Sequence, residues 1–474
     1  MNLPRFELGE INSRLGHERV GDAFQAFGHE VLLREYPELH LFPTGGKDGA
    51  IDLSQTSDDS RVACECKYVG TDDLAAVRAE WRSVAKRLEE HLADPTGPTR
   101  GQSQYGPWYR KAPAIEKFIF CTSAQLKNQQ QTDELRDEIA AFFQTLTKRF
   151  SHLSHLIALK PMVLDWSALV QRAAVQPHLV FRWFPKTRPK GFVPLDEPTR
   201  EVSFSAYLRS ENLSYYSRSE HMIHCPPPAG PAIQDEDSLL AKLETDEVSG
   251  LIITGRAGVG KTRLMLELGH RALARGWPVM KMLRGHIDRD ALHHFAEQLP
   301  PGTPALLLFD YIETRGDFDD LVEELLTLNQ TYCFRLRYLA SCRTSHYQAV
   351  QKVDRHERVN LSPPEGQFER AWFRDYQSAT VRRVLEQSGL SLSEESITLC
   401  HDTPVLAVFL AYLQKHGRKT DLAELLKERD FGPWLARRLE HHSPEAAQEL
   451  AKIAALFPLP HAVACSFKNA SHQR

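Results

Sequence analysis

The 474-residue chain is long enough for two to four domains, each able to bury its own core. Hydrophobic residues make up 42% and charged residues 25%, the balance of an ordinary globular protein. A net charge of −4 excludes whole-chain binding to a polyanion, so any nucleic-acid contact must be a local patch. The eight cysteines, at 64, 66, 121, 225, 333, 342, 400 and 465, contain no CxxC pair and read as reduced thiols. The start, MNLPRFELGE, lacks the basic-then-apolar pattern of a signal peptide. The longest apolar run, Pro404 to Leu413, is half the ~20 residues of a membrane helix. The expectation is a soluble, cytoplasmic protein with no membrane partner.

In chain order, Val20, Phe24, Phe27 and Val31, spaced four, three and four, predict a helix over 13–35. A Gly-rich turn (TGGKDG), a strand at 50–54, a polar turn (TSDDS) and a strand at 61–68 follow. A charged helix spans 72–92, and 94–113 is a Gly/Pro-rich loop. A buried strand at 115–122, a helix at 132–149 and a strand at 153–159 complete a first α/β domain, 1–162. Residues 163–235 are irregular and Pro-rich and read as a connecting module. From 236 to 364 strands alternate with helices, which implies a doubly wound parallel sheet. Residues 365–474 turn helical, a C-terminal lid, giving an α/β multidomain chain.

In the second α/β domain, Gly255-Arg-Ala-Gly258-Val-Gly260-Lys261-Thr262 fits GxxxxGK[ST] between an apolar strand and a helix, the context a phosphate-binding loop needs. Glycines let backbone N–H groups close around phosphates at a helix N-terminus. Lys261 would reach the phosphates and Thr262 would ligate Mg²⁺. The strand ending Leu308-Phe309-Asp310 supplies a carboxylate for the same Mg²⁺. Tyr311 stands where a second acid often follows, so the nearest candidate base is Glu313, a base or a surface residue on this reading. Arg343, at the end of RYLASCR, is placed to sense a γ-phosphate or to be a solvated strand end. Pro404 opens a helix in HDTPVLAVFL.

These pieces, in this order, resemble the STAND class of signal-transduction NTPases, relatives of AAA+ proteins, over roughly 236–440. The resemblance implies ATP as ligand, slow hydrolysis, and lid contact with nucleotide through Pro404. The Gly of the lid's GxP motif is Asp402 here.

In the first domain, Glu65 and Lys67 of CECKY lie two apart on one strand, hence on one face of the pleat. Asp52, on the preceding strand of a hairpin, would join them. Two carboxylates suit a divalent ion such as Mg²⁺, and an ammonium beside them suits phosphodiester hydrolysis by orienting or deprotonating water. The alternative is a hairpin with solvated acids. With the preceding helix and the KDGAID turn, the set resembles the Mrr-like branch of the PD-(D/E)xK nucleases over about 15–160. In that family the helix often carries Phe-Glu, where this chain has Phe24-Gln25, so the helix acid is absent or replaced by Glu18 or Glu30. Asp48 is a supporting group or a turn residue.

Arg182, Lys186, Arg188 and Lys190, interleaved with Trp183 and Phe184, read as a solvated loop with a packed aromatic pair ahead of a DNA contact. His152, His155, His293 and His294 read as surface histidines. Together the two resemblances imply an antiviral STAND protein whose Mrr-like nuclease cuts DNA. A phage-derived trigger or a separate sensor subunit would drive ATP binding and homo-oligomerisation. The sequence given stops at Arg474 soon after the lid, which leaves the sensor on a longer chain, on another polypeptide, or in the lid itself. Two rivals stay open: a modification-dependent restriction enzyme with an NTPase motor, and a non-catalytic nucleotide-switched scaffold.

Overall fold

The computed structural model describes residues 3–41, 52–55, 61–95, 106–112, 114–197, 235–245, 248–255, 258–282, 287, 289–299, 302–350, 356–361 and 367–387, with single positions from 396 to 410. Asp48, the TSDDS turn, the Pro-rich stretch after 197, Asp402 and the lid beyond 410 lie outside the described residues. The chain divides into two compact units, Met1–Arg188 and Pro189–Arg474.

The first unit is built on a five-stranded sheet, β1 (Leu39–Leu41), β2 (Leu53–Gln55), β3 (Val62–Lys67), β4 (Lys117–Thr122) and β5 (Lys160–Leu164), in that spatial order. The β1–β2 and β2–β3 pairs are antiparallel; β3–β4 and β4–β5 are parallel. β2 alone therefore runs against the others, and β3 is the strand at which pairing changes from antiparallel to parallel. Its first five residues are buried because helices cover both faces.

One face carries α2 (Leu74–Leu92) and α4 (Gln129–Arg149), a helical turn α3 (Gly106–Tyr109) intervening in sequence. Asp73 and Asn128 accept N-cap hydrogen bonds from Ala75 and Gln131 and fix where these helices begin. Val77, Trp81, Val84 and Leu88, four, three and four apart, pack with Ile139 and Phe143 on Phe118 and Phe120 of β4. The other face carries α1 (Val20–Leu32), α5 (Trp166–Ala174) and α6 (Pro177–Trp183), which surround Cys64, Cys66 and Cys121 with Phe24, Phe27 and Trp183.

Four expectations need correction here. Residues 153–159 are not a strand: Ser151–Ala158 is a 3-10 helix whose buried Leu153 and Leu156 lie three apart, its own period. Residues 163–188 are not a connector, because α5 and α6 bury Trp166, Leu169 and Trp183 against α1, so the unit runs past 162 to Arg188. Trp183 and Phe184 are buried, and Arg182 and Lys186 pair with Glu30 and Glu10 at 3.1 and 2.8 Å, so the basic–aromatic segment is core plus ion pairs. His152 and His155, half-buried rather than superficial, hydrogen-bond the carbonyls of Leu92 and Trp108.

The second unit has a six-stranded sheet: β6 (Phe192–Pro194), β7 (Gly250–Thr254), β8 (Val279–Met282), β9 (Pro304–Phe309), β10 (Arg335–Cys342) and β11 (His356–Asn360). Their order is β11-β7-β10-β9-β8-β6, all parallel except the β6 edge. α7 (Glu236–Glu244) leads into β7, α8 (Lys261–Ala274) links β7 to β8, α9 (Arg289–Glu297) precedes β9, and α10 (Phe318–Tyr332) links β9 to β10. β10 lies between β7 and β9, so the chain must leave β7 outward and return, which opens a crevice at the strands' carboxyl ends. β6 and β11 were not expected; both are short edge strands. α11 (Thr344–Val350) and α12 (Gln367–Gln387) follow β10 and β11.

Candidate functional site

The sheet of the first unit brings Asp52, Glu65 and Lys67 together. Asp52 directly precedes β2, where its N–H donates to the Cys64 carbonyl at 2.9 Å, and its Oδ2 accepts the Cys66 N–H at 2.7 Å. Lys67 Nζ lies 2.6 Å from Glu65 Oε1 and 3.7 Å from Asp52 Oδ2. Both acids are buried, Glu65 completely. Anions at such depth are stable only with compensating charge, and Lys67 supplies part of it.

Burial pulls the Lys67 pKa down, but the Glu65 and Asp52 carboxylates outweigh it and the net shift is upward. These carboxylates favour Lys67 as an ammonium, able to hold and neutralise an anion.

Arg87, on α2, was not foreseen; its guanidinium donates to the same Glu65 Oε1 at 2.8 Å. It sits three residues after Val84 and one before Leu88, on the flank of the buried stripe. That position gave a signal only once α2 was known to cover β3. Gln25, in the place of the missing helix acid, is buried and donates from Nε2 to the Asp52 carbonyl at 3.3 Å. It braces Asp52 without offering a carboxylate. Neither proposed substitute replaces it: Glu18 is exposed, and Glu30 binds Trp183 Nε1 at 2.7 Å and Arg182.

In the second unit the phosphate loop joins β7 to α8. Gly258 and Gly260 have φ of 79° and 97°, left-handed values that favour glycine. A Cβ on Gly255 would meet Val259 at 2.8 Å. Thr262 donates its hydroxyl to both Asp310 oxygens, at 2.9 and 3.2 Å, which sets two hard oxygen donors side by side at the end of β9. Ser341 of β10 also donates its hydroxyl to Asp310. It was not foreseen, although a serine near the end of the buried strand RLRYLASC was a visible irregularity.

Tyr311 takes a left-handed conformation, φ 54°, held by its N–H bond to Ser341 Oγ at 3.1 Å. The chain turns there into a 3-10 helix carrying Glu313. Glu313 lies 3.6 Å from Arg343 Nε, so these two candidates are brought together. Burial lowers the Lys261 pKa and Arg343 pushes the same way, opposed by Glu313, Asp310 and Cys342. Burial also pushes the Cys342 thiol up to about 12, with Glu313 adding to it. Pro404 is helical and buried, but the residues beside it lie outside the described set.

Among the described residues no helix is long and apolar enough to cross a membrane. No protein-family model matches the chain, and no curated protein matches it. Among solved structures, a DNA replication initiation factor aligns at 18% identity and TM-score 0.27, over 38% of this chain and 59% of its own length. AMPPCP-bound DnaA from Aquifex aeolicus aligns at 16% identity and TM-score 0.28, over 50% and 86%. The S. cerevisiae Hsp104–ADP complex aligns at 12% identity and TM-score 0.30, over 59% and 39%. Likenesses this distant carry no argument about activity. The chain's own sheet order and phosphate loop are what make its second unit a P-loop α/β unit.

Proposed function

We propose that the protein is a metal-dependent DNA endonuclease whose activity is gated by nucleotide. The observation that supports the cutting half is the convergence of Asp52, Glu65 and Lys67 where the start of β2 meets the end of β3. The donor set is chemically suited to Mg²⁺, two hard carboxylates with a compensating ammonium beside them. In this reading Asp52 and Glu65 hold the ion, which when bound supplies Lewis-acid neutralisation of phosphate charge. Lys67, kept cationic, steadies the negative charge that builds on the phosphodiester. Arg87 is the second cation available to that charge.

The gating half rests on the phosphate loop. Gly255, Gly258, Gly260 and Lys261 bind the ATP phosphates, while Thr262 and Asp310 hold a second Mg²⁺. Glu313 and Arg343 respond to the γ-phosphate, and Pro404 carries the signal from residues 365–474. By its resemblance to STAND proteins, the chain acts in antiphage defence and assembles into homo-oligomers when a phage-derived trigger or sensor subunit releases it.

Nicking of supercoiled plasmid in Mg²⁺, with ATP or a non-hydrolysable analogue, tests this. Asp52→Asn is expected to lower the rate by more than about 10²-fold, the several kcal/mol that a misplaced metal forfeits. Lys261→Met is expected to remove the nucleotide dependence. Cleavage that survives Asp52→Asn at wild-type rate sinks the nuclease reading.

A further inference from the structure

On the face of β3 opposite Glu65, three thiols meet. Cys64 Sγ lies 3.8 Å from Cys66 Sγ and 3.6 Å from Cys121 Sγ, and all three sulfurs lie within 4.8 Å of one another. β3 and β4 run parallel with Cys66 opposite Cys121, so the alternation of the pleat forces Cys64, Cys66 and Cys121 onto one side. All three are buried among Phe24, Phe27, Val31 and Trp166. The floor is held close by Gly28 of α1, where an added Cβ would stand 3.1 Å from Cys66 Sγ.

We propose that Cys64, Cys66 and Cys121 form a binding site for a soft, thiophilic d¹⁰ cation, with Cu⁺ preferred over Zn²⁺. An ion in the plane of a triangle with two edges of 3.8 and 3.6 Å and a third no longer than 4.8 Å would sit no more than about 2.4 Å from each sulfur, within reach of the ~2.3 Å of a metal–thiolate bond. Among the described residues no His, Asp or Glu joins the group as a fourth donor. Structural zinc takes four ligands, whereas soft thiolate sets of lower coordination suit Cu⁺. The site would tie β3 to β4 directly behind the candidate acids, because the Cys66 N–H is the group that positions Asp52 Oδ2.

The test uses the full chain, stripped of metal under reducing, anaerobic conditions, then offered Cu⁺ or Zn²⁺ against a competing chelator. The expected result is one tightly held Cu⁺ per chain, with three sulfurs at ~2.3 Å by X-ray absorption fine structure. Retention should fall at least tenfold in Cys121→Ser and stay unchanged in Cys333→Ser, whose thiol is exposed. The absorption measurement on the wild-type chain stands even if Cys121→Ser misfolds. Failure of the folded wild type to retain Cu⁺, a shell with nitrogen ligands, or tighter retention of Zn²⁺ would overturn the assignment.

Discussion

Lys67 lies between two acids, and removing its charge leaves them with less compensation. Breaking a fully buried pair from one side costs about 3–5 kcal/mol. Lys67 is partly exposed and Arg87 remains on Glu65, so Lys67→Met should cost about 1–3 kcal/mol. The pH dependence follows from the direction of the shift. The folded-state pKa is raised above its ordinary 10.5, so the contribution is fully present below that value and fades as pH rises through the higher folded value. Denaturant unfolding of wild type and Lys67→Met should give a constant difference from pH 6 to about 9 that shrinks above ~10.5. A gap that closes already near neutral pH would show Lys67 to be uncharged there. Asp52, Glu65 and Lys67 were legible as a group because strand periodicity fixes which side chains share a face. Arg87 and Ser341 were not, since each depends on which helix or strand comes to lie alongside.

β7 shows how an element constrains its neighbours. Gly250 pairs with Tyr338 of β10, and a Cβ at 250 would stand 2.4 Å from the Tyr338 ring, far inside any real contact. Both residues are buried, so neither can move toward solvent. Gly250→Ala should therefore destabilise the second unit by about 1–3 kcal/mol through overpacking, and Gly250→Ala combined with Tyr338→Leu should recover part of that. Thermal unfolding of the single and double variants checks the coupling. Among elements, the apolar strands β4, β7 and β9 were readable because burial on both faces leaves near-continuous hydrophobic runs. LHL, FVP and HERVN were not, because an edge strand takes its conformation from its partner and needs little apolar pattern of its own. The segment 153–159 misled because Leu153, Ile157 and Leu159 fall at even separations, as along a strand, while the buried pair is Leu153 and Leu156.

For the molecule, the nucleotide site should be the lever. A ligand at about 100 times its Kd stabilises the state it binds by roughly 2.7 kcal/mol. Mg²⁺ with a non-hydrolysable ATP analogue should raise the unfolding temperature of the wild type and shift its sedimentation from monomer to oligomer. Lys261→Met should abolish both effects. Without nucleotide that variant should be no less stable than wild type, because burial disfavours the Lys261 ammonium. An assembly that is constant with and without the analogue would count against a switch.

The two constellations also differ in how far apart along the chain their members stand. Asp52 and Glu65 are separated by 65 − 52 = 13 positions and joined across one antiparallel strand pair. Thr262 and Asp310 are 48 apart, and Ser341 is a further 31 beyond. Closing the longer loop costs about 1 kcal/mol more chain entropy than closing the shorter one, before the intervening strands repay it. In a polypeptide finding its shape, the carboxylates can meet by local pairing while the phosphate cradle still awaits strands that arrive from a distance.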